Sequence, residues 1–360
     1  MQADVAAGLQ PFAQGTTLLM SRNFRLLTAL AAVLAIAPIA GRAVAGEKEV
    51  RRQDSFGGSC VKCELSGRNM SGARIIGANF SGAMLVGANL RDAKFHASVF
   101  AGADLTKADL SDAAMSGANF SGANLTSAKM RSTEANGVMF GGANLTRADL
   151  SDAEATGANF RKAILINAVM RSATLRGVMF DSADLSRATL TDIEAQGANF
   201  NRARLAGTNL RSADLQGAVF TKAEANGAMF QDADLTAASL NYATFTQASF
   251  RSADLSNANL MGSNFDGADF RDADLSHAML QGADLSNARG LNQDQLDEAC
   301  GDSRTRAPRG LSVRGCNGVR LIMRPETPRP AMRMVPAVPA APPAPPAPPA
   351  EPRYLTHVER

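Results

Sequence analysis

The sequence has no tryptophan, two tyrosines, three histidines and four cysteines among its 360 residues. Three imidazoles and four scattered thiols leave little material for a catalytic metal centre. Charge is nearly balanced, 37 basic side chains against 34 acidic for a net of +3, so nothing draws the chain strongly to nucleic acid or to an anionic membrane. Long hydrophobic runs are also missing. The best of them, Leu26 to Ala40, has 15 residues, where a helix needs roughly 20 to cross a bilayer. Apolar content reaches 45% and is carried mainly by Ala, Leu and Phe.

The short apolar run follows Arg22 and Arg25 and precedes Ala43-Val44-Ala45, with small residues at both recognition positions. This is the three-part layout of a secretory signal peptide, with cleavage expected after Ala45. Residues 1–19 fit neither its basic region nor a core, which points to translation starting at Met20. Export would place the protein in the periplasm or outside the cell, with no stable membrane insertion after cleavage, and would bring its cysteines into an oxidising compartment.

Internal repetition decides the architecture. Every fifth residue from Leu65 to Leu285, 45 positions without an insertion, is Leu, Phe, Met or Ile, except for Ala135, Ala155, Ala195 and Ala225. Ala stands two residues earlier in most units, Asp or Asn lies between the two, and Ser, Thr, Gly or Arg follows. A period of five drifts out of phase with both helix and ordinary strand. It fits a chain that turns a corner every five residues, pointing a small and a large side chain inward on each side. Four sides close a coil of 20 residues, and coils stacked at about 4.8 Å give about eleven coils and a rod on the order of 50 Å long. Four large side chains per coil leave room for little more than Ala at the companion position. The outward Asp or Asn can bond turn amides, and Gly later in the turn tolerates unusual backbone angles.

Units such as Ala103-Asp104-Leu105-Thr106-Lys107 and Ala143-Asn144-Leu145-Thr146-Arg147 resemble the pentapeptide-repeat family, over about residues 64–289. The resemblance implies an all-β fold, a right-handed quadrilateral parallel β-helix. Its functional implication is vaguer, because members of the family differ in role.

Faces and ends add detail. Phe80 to Phe220 recur every twentieth residue on one face and Leu65 to Leu205 on another, predicting ladders of like residues. The phenylalanines resume at Phe230, Phe250 and Phe270, ten residues out of phase, which predicts a packing discontinuity near residues 220–230. Ala135 is followed by Val138 and Ala195 preceded by Ile193, as if a β-branched neighbour refills the lost volume. On one corner Arg91, Arg131, Arg171, Arg211 and Arg251 alternate with Asp112, Asp152, Asp192, Asp232 and Asp272. Crosswise pairing would make this a self-neutralising ladder that avoids stacking like charges.

The organisation expected is a signal region over 1–45, a linker over 46–59, repeats over 60–289, a C-terminal capping segment over 290–316 and a disordered Pro/Ala-rich tail over 317–360. Within the cap, Leu291 to Cys300 reads as a short amphipathic helix with Asn292 as N-cap. The cysteines read best as disulfides, Cys300 with Cys316 and Cys60 with Cys63; a zinc site would need both pairs in one place, and they flank opposite ends of the rod. A redox-active Cys60-x-x-Cys63 is the sharper alternative, though no thioredoxin-like pattern surrounds it. Residues 325–352 hold 12 of the 15 prolines, a polyproline spacer or docking peptide, or plain disordered chain.

Catalysis is not expected. His96 and His277 fall at outward turn positions of separate coils and His357 in the tail, and a uniform ladder offers no pocket. No cofactor is implied. Some relatives confer quinolone resistance by resembling DNA and binding topoisomerases, an activity that needs a strongly negative rod. Residues 64–289 carry 20 basic and 23 acidic groups, a net of −3. The expected role is therefore a non-catalytic structural or protein-interaction rod in the cell envelope, binding a protein or envelope component, with an end-to-end homodimer possible and no nucleic-acid partner.

Overall fold

A computed structural model describes residues 58–316, all within the compact unit Glu47–Arg360. The expected signal sequence, its cleavage site, most of the linker and the Pro-rich tail lie outside the described residues.

Most five-residue units form the same hydrogen bonds. In the unit around Leu105, Asp104 N donates to Ala83 O of the coil below, while Leu105 N and Lys107 N donate to Asn124 O and Thr126 O of the coil above, at 2.7 to 2.9 Å. Ala108 N closes the corner on Leu105 O at 2.9 Å, a four-residue turn whose third residue, Lys107, has φ of 58°. Positive φ at that place is the type II pattern, and it recurs at every fifth residue. Backbone polar groups are thus satisfied between coils and within corners, and each side of a repeat coil contributes a single bridge rather than a longer strand. Bridges are parallel and step by 20 residues from Ser59–Asn79 to Asp269–Arg289, four per coil. The chain is a parallel β-solenoid.

Gly is favoured at the left-handed corner position because it has no Cβ to clash there. Gly157 has φ of 66° and open space where a Cβ would stand. Gly157→Ala is therefore expected to lose about 1 kcal/mol through backbone strain alone, measured as a shift in urea midpoint. No change would show that this corner relaxes.

The axis of the solenoid is the core. Phe100, Phe120, Phe140, Phe160, Phe180 and Phe200 are buried and lie in one parallel ring stack, with centroids 4.7 to 5.5 Å apart. Val138 and Ile193 are buried beside the small residues Ala135 and Ala195. Where Ser or Thr replaces the inward Ala, its hydroxyl completes backbone bonding. Ser263 Oγ donates to Leu240 O at 2.6 Å and accepts from Ala243 N at 3.0 Å, bridging the corner of the coil beneath. Ser98 does the same at Ile75 and Ala78.

The expected discontinuity near 220–230 takes a milder form. Phe220 meets Phe230 edge-on, with centroids 5.7 Å apart and planes at 85°, and stacking resumes from Phe230 to Phe250 at 5.0 Å. Ala225 lies midway between the two rings in sequence, and the bridges run through it without a break: Glu224 pairs with Thr244 and Met229 with Ser249. Edge-to-face contact is a favourable aromatic geometry, so the ladder changes face without opening the core.

Beyond the repeats, helix α1, Gln293–Glu298, is shorter than expected. Asn292 caps it in a reciprocal box with Gln295, both bonds 2.9 Å. The Gln295 amide also donates to Phe270 O and Ala273 O, and Leu296 is fully buried. Ala299 ends the helix because Cys300 turns to the last coil, accepting from Leu280 N at 2.7 Å and bridging Met279. Strand β1, Cys300–Gly301, then pairs in parallel with β2, Arg314–Gly315.

Candidate interaction surface

Because the large side chains fill the axis, the exposed chemistry of this protein sits in four outward columns and the corners between them. The Asx residues of those columns mostly bond their own corners. Asp104 Oδ1 accepts from Thr106 N and Oγ1, and Asn144 Oδ1 from Thr146 N and Oγ1, at 2.5 to 3.0 Å. The repeating Asp or Asn is thereby explained as a corner fastener, with one residue at i bonding i+2.

The alternating Arg and Asp corner pairs crosswise as expected at one place only. Arg91 reaches Asp112 at 3.0 Å, but Arg131 turns to Asp149, and Arg211 donates to Gln231 at 3.1 Å. Among the described residues Arg171 and Arg251 form no ion pair. Asp112, Asp152, Asp192, Asp232 and Asp272 occupy the left-handed corner position, with φ of 57° to 61°, and the four from Asp152 on are exposed there without an ion pair. An exposed pair gains only about 0.2 to 1 kcal/mol, so nothing compels the crosswise match. Several other pairs run straight up a column, as Arg161–Asp181 at 3.2 Å and Arg204–Asp184 at 3.6 Å do.

Nor does the surface avoid stacking like charges. One column of bridged residues runs Glu134, Glu154, Thr174, Glu194, Asp214, Asp234, Asp254 and Asp274, carboxylates on all but one successive coil. Its neighbours supply donors: Arg176 to Glu194 at 2.6 Å, Gln216 to Asp234 at 2.5 Å and Ser256 N to Asp254 at 2.8 Å. Gln196 also bonds Asp214. Every twentieth residue from Glu134 belongs to this column.

Several carboxyls lie below their ordinary range. Burial pushes Asp149 up, but bonds from Ser151 and Arg131 outweigh it. Asp109, Asp234 and Asp284 follow the same balance through Ser111, Thr236 and Ser286. At Asp269 the Arg271 bond dominates, and at Asp302 the Arg304 bond holds the carboxyl down at about 2. A carboxyl depressed by folding stabilises the fold above its unfolded value and loses that contribution as pH falls through the folded one. The urea midpoint is therefore expected to hold above about pH 4 and drop between about pH 4 and about pH 2. A midpoint unchanged at the acid end would contradict this.

The cysteines lie near both ends of the repeats. Cys60 is disulfide-bonded to Cys63 with Cα atoms 5.3 Å apart, and Cys300 to Cys316 at 4.9 Å. A cavity of about 350 Å³ beside the second bond is lined by Asn257, His277, Met279, Gln281 and Glu298. His96 lies several coils from His277, so the structure does not bring the two imidazoles together.

The family profile for pentapeptide repeats matches the chain in 8 copies, over residues 59–96, 93–131, 135–165, 156–192, 198–236, 228–267 and 257–289. The chain belongs to the pentapeptide-repeat family. Among solved structures similar to this pentapeptide-repeat protein is HetL, involved in heterocyst differentiation regulation in the cyanobacterium Nostoc sp. strain PCC 7120. It is 28% identical, covering 68% of this chain and 92% of its own, with a TM-score of 0.33. A pentapeptide-repeat protein of the Arabidopsis thaliana thylakoid lumen is 34% identical over 28% of this chain and 66% of its own, TM-score 0.22. QnrB1, a plasmid-mediated fluoroquinolone resistance protein, is 20% identical over 49% and 86%, TM-score 0.27. No curated protein matches the chain.

Proposed function

We propose that this pentapeptide-repeat protein is an exported, non-catalytic rod that serves as a structural or protein-interaction scaffold in the cell envelope. In this reading it is a right-handed, four-sided helix of about eleven coils, closed at its C-terminal end by α1 and the segment through Cys316. The observation that carries the reading is the pairing of all four cysteines as disulfides near both ends of the repeats. Such bonds persist in oxidising compartments, which accords with the signal-like segment ending at Ala45. Flat faces whose Asp and Asn side chains are engaged in fastening corners suit broad contact better than chemistry on a small substrate.

A topoisomerase-binding DNA mimic is the alternative. The carboxylate column from Glu134 to Asp274 favours it on one face, but residues 64–289 sum to only −3 and the Arg corners interrupt the field. Cell fractionation with N-terminal sequencing tests the export reading: a mature protein starting at Gly46 in the envelope fraction is expected. Intact Met1 or Met20 in the cytosol would overturn it. Gyrase inhibition by the purified protein would promote the alternative.

A further inference from the structure

Charge in the middle of the repeats is sorted onto two of the four sides. Over five successive coils, the side formed by residues 141–147, 161–167, 181–187, 201–207 and 221–227 holds seven basic and three acidic residues, a net of +4. Half a lap further along the same coils, the side formed by 151–157, 171–177, 191–197, 211–217 and 231–237 holds seven acidic and three basic, a net of −4. The two outward columns between these sides add only Asp149, which Arg131 engages. In the four-sided helix proposed above, the two charged sides lie opposite each other.

The positive side keeps most of its charge unpaired. Arg161 and Arg204 are held by Asp181 and Asp184, and Glu224 is the one further acid on this side. Arg147, Lys162, Arg187, Arg202 and Lys222 are exposed and form no ion pair among the described residues. The band spans four coil steps, about 19 Å at strand spacing. It ends sharply, because the sides next along the rod, 121–127 and 241–247, carry no charge. Within it Ile164 is 41% exposed, and Ile166 stands two residues on, partly exposed at the corner.

This arrangement suits a plane of anionic lipid. Lys and Arg on both corners have flexible stems that carry their charges to headgroups on either side of the band. An exposed isoleucine between those corners adds apolar contact at the boundary of headgroups and acyl chains, a contact that a dissolved polyanion does not reward. The carboxylates half a lap away are repelled by the same surface, so its field turns the rod to one orientation. The near-balance of the whole chain conceals this, because the two sides cancel.

We propose that the side carrying Lys162, Ile164 and Arg202 is a peripheral docking surface for an anionic lipid membrane, on which the rod lies lengthwise without inserting a helix. The inference rests on the envelope-scaffold reading and names the envelope component that the rod meets.

The test is co-sedimentation of the mature chain expected from Gly46, which lacks the apolar run 26–40 and keeps the compact unit whole, with vesicles of phosphatidylglycerol and phosphatidylcholine in equal parts. Binding is expected there and not on phosphatidylcholine alone. It should fall steeply between about 0.1 M and about 1 M salt, as the screening length shrinks from about 10 to about 3 Å. Lys162→Gln with Arg202→Gln should weaken it about 25-fold, about fivefold for each cation. Arg171→Gln with Arg251→Gln, which removes unpaired cations bordering the carboxylate column, should leave it unchanged. The sequence has no tryptophan, so Ile164→Trp supplies a reporter whose emission should shift to the blue on the mixed vesicles, whereas Thr174→Trp should not respond. Circular dichroism with thermal melting should show that all variants keep the fold. Absence of binding to the mixed vesicles overturns the proposal, as does binding indifferent to the Lys162 and Arg202 double variant, or a blue shift in Thr174→Trp instead of Ile164→Trp. Capture of duplex DNA without capture by vesicles would assign the band to nucleic acid and overturn it as well. Vesicle binding is measured without regard to compartment, so none of these failures bears on export or on how the N-terminus is processed.

Discussion

Phe160→Ala is expected to lower stability by about 3 to 5 kcal/mol, at the upper end for a buried aromatic truncation. The ring sits between Phe140 and Phe180, centroids 4.7 and 5.2 Å away, and is fully buried. Its loss removes two stacking contacts and leaves a void that the neighbours cannot close. Their coils are held at fixed height by the backbone ladder, with Phe160 N bonded to Met179 O at 2.8 Å and Phe140 N to Asn159 O at 2.7 Å. A substitution one residue away should behave very differently. Asn159→Ala removes an outward corner bond to Arg161 N and should cost about 1 kcal/mol. Urea unfolding of both variants, with hydrogen exchange at the flanking amides, makes the comparison. Similar losses would mean that the axis is not the principal source of stability.

Replacing Cys300 and Cys316 together by Ser is expected to cost about 3 kcal/mol, the chain-entropy estimate for a loop of roughly this length. The bond closes a span of 16 residues that contains β1 and the link to β2. Leu280 N and Leu285 N donate to Cys300 O and Arg306 O at 2.7 and 2.8 Å, so their amides report on whether this segment stays seated. Exchange should accelerate there first and leave Leu145 N, many coils away, protected. The Cys60–Cys63 bond spans only 3 residues and should contribute less. Uniform acceleration along the chain would mean that the disulfide acts on global rather than local unfolding.

Much of the core was legible because its rule is local. A large residue every fifth position, with Ala two before it, specifies what points inward without reference to any distant residue, and Leu105, Phe120 and Ala143 are all buried accordingly. The corner rule is equally local, as Asp104 bonding Thr106 shows. Charge contacts obey no such rule. Whether Arg131 meets Asp149 or Asp152 depends on long side chains choosing between exposed partners of nearly equal energy. The carboxylate column was hidden for another reason: the twenty-residue period stands out where one inward residue type repeats, as Phe and Leu do, whereas this outward column mixes Glu, Asp and a Thr. Helix α1 was legible in its N-cap but not in its end, which is set by the attachment of Cys300 to Met279 across the last coil.

The fixed step of 20 residues has a consequence for how such a chain can change length. Excising one whole lap should shorten the protein while every outward column keeps its identity, because each remaining residue still rests on one of the same type. Excising a quarter lap would instead shear the surface, rotating all later columns by one side while the axis stayed filled. The phenylalanine line from Phe220 to Phe230 is the reverse case: the rings move by half a lap while the carboxylate column runs on through Asp214, Asp234 and Asp254 without a shift.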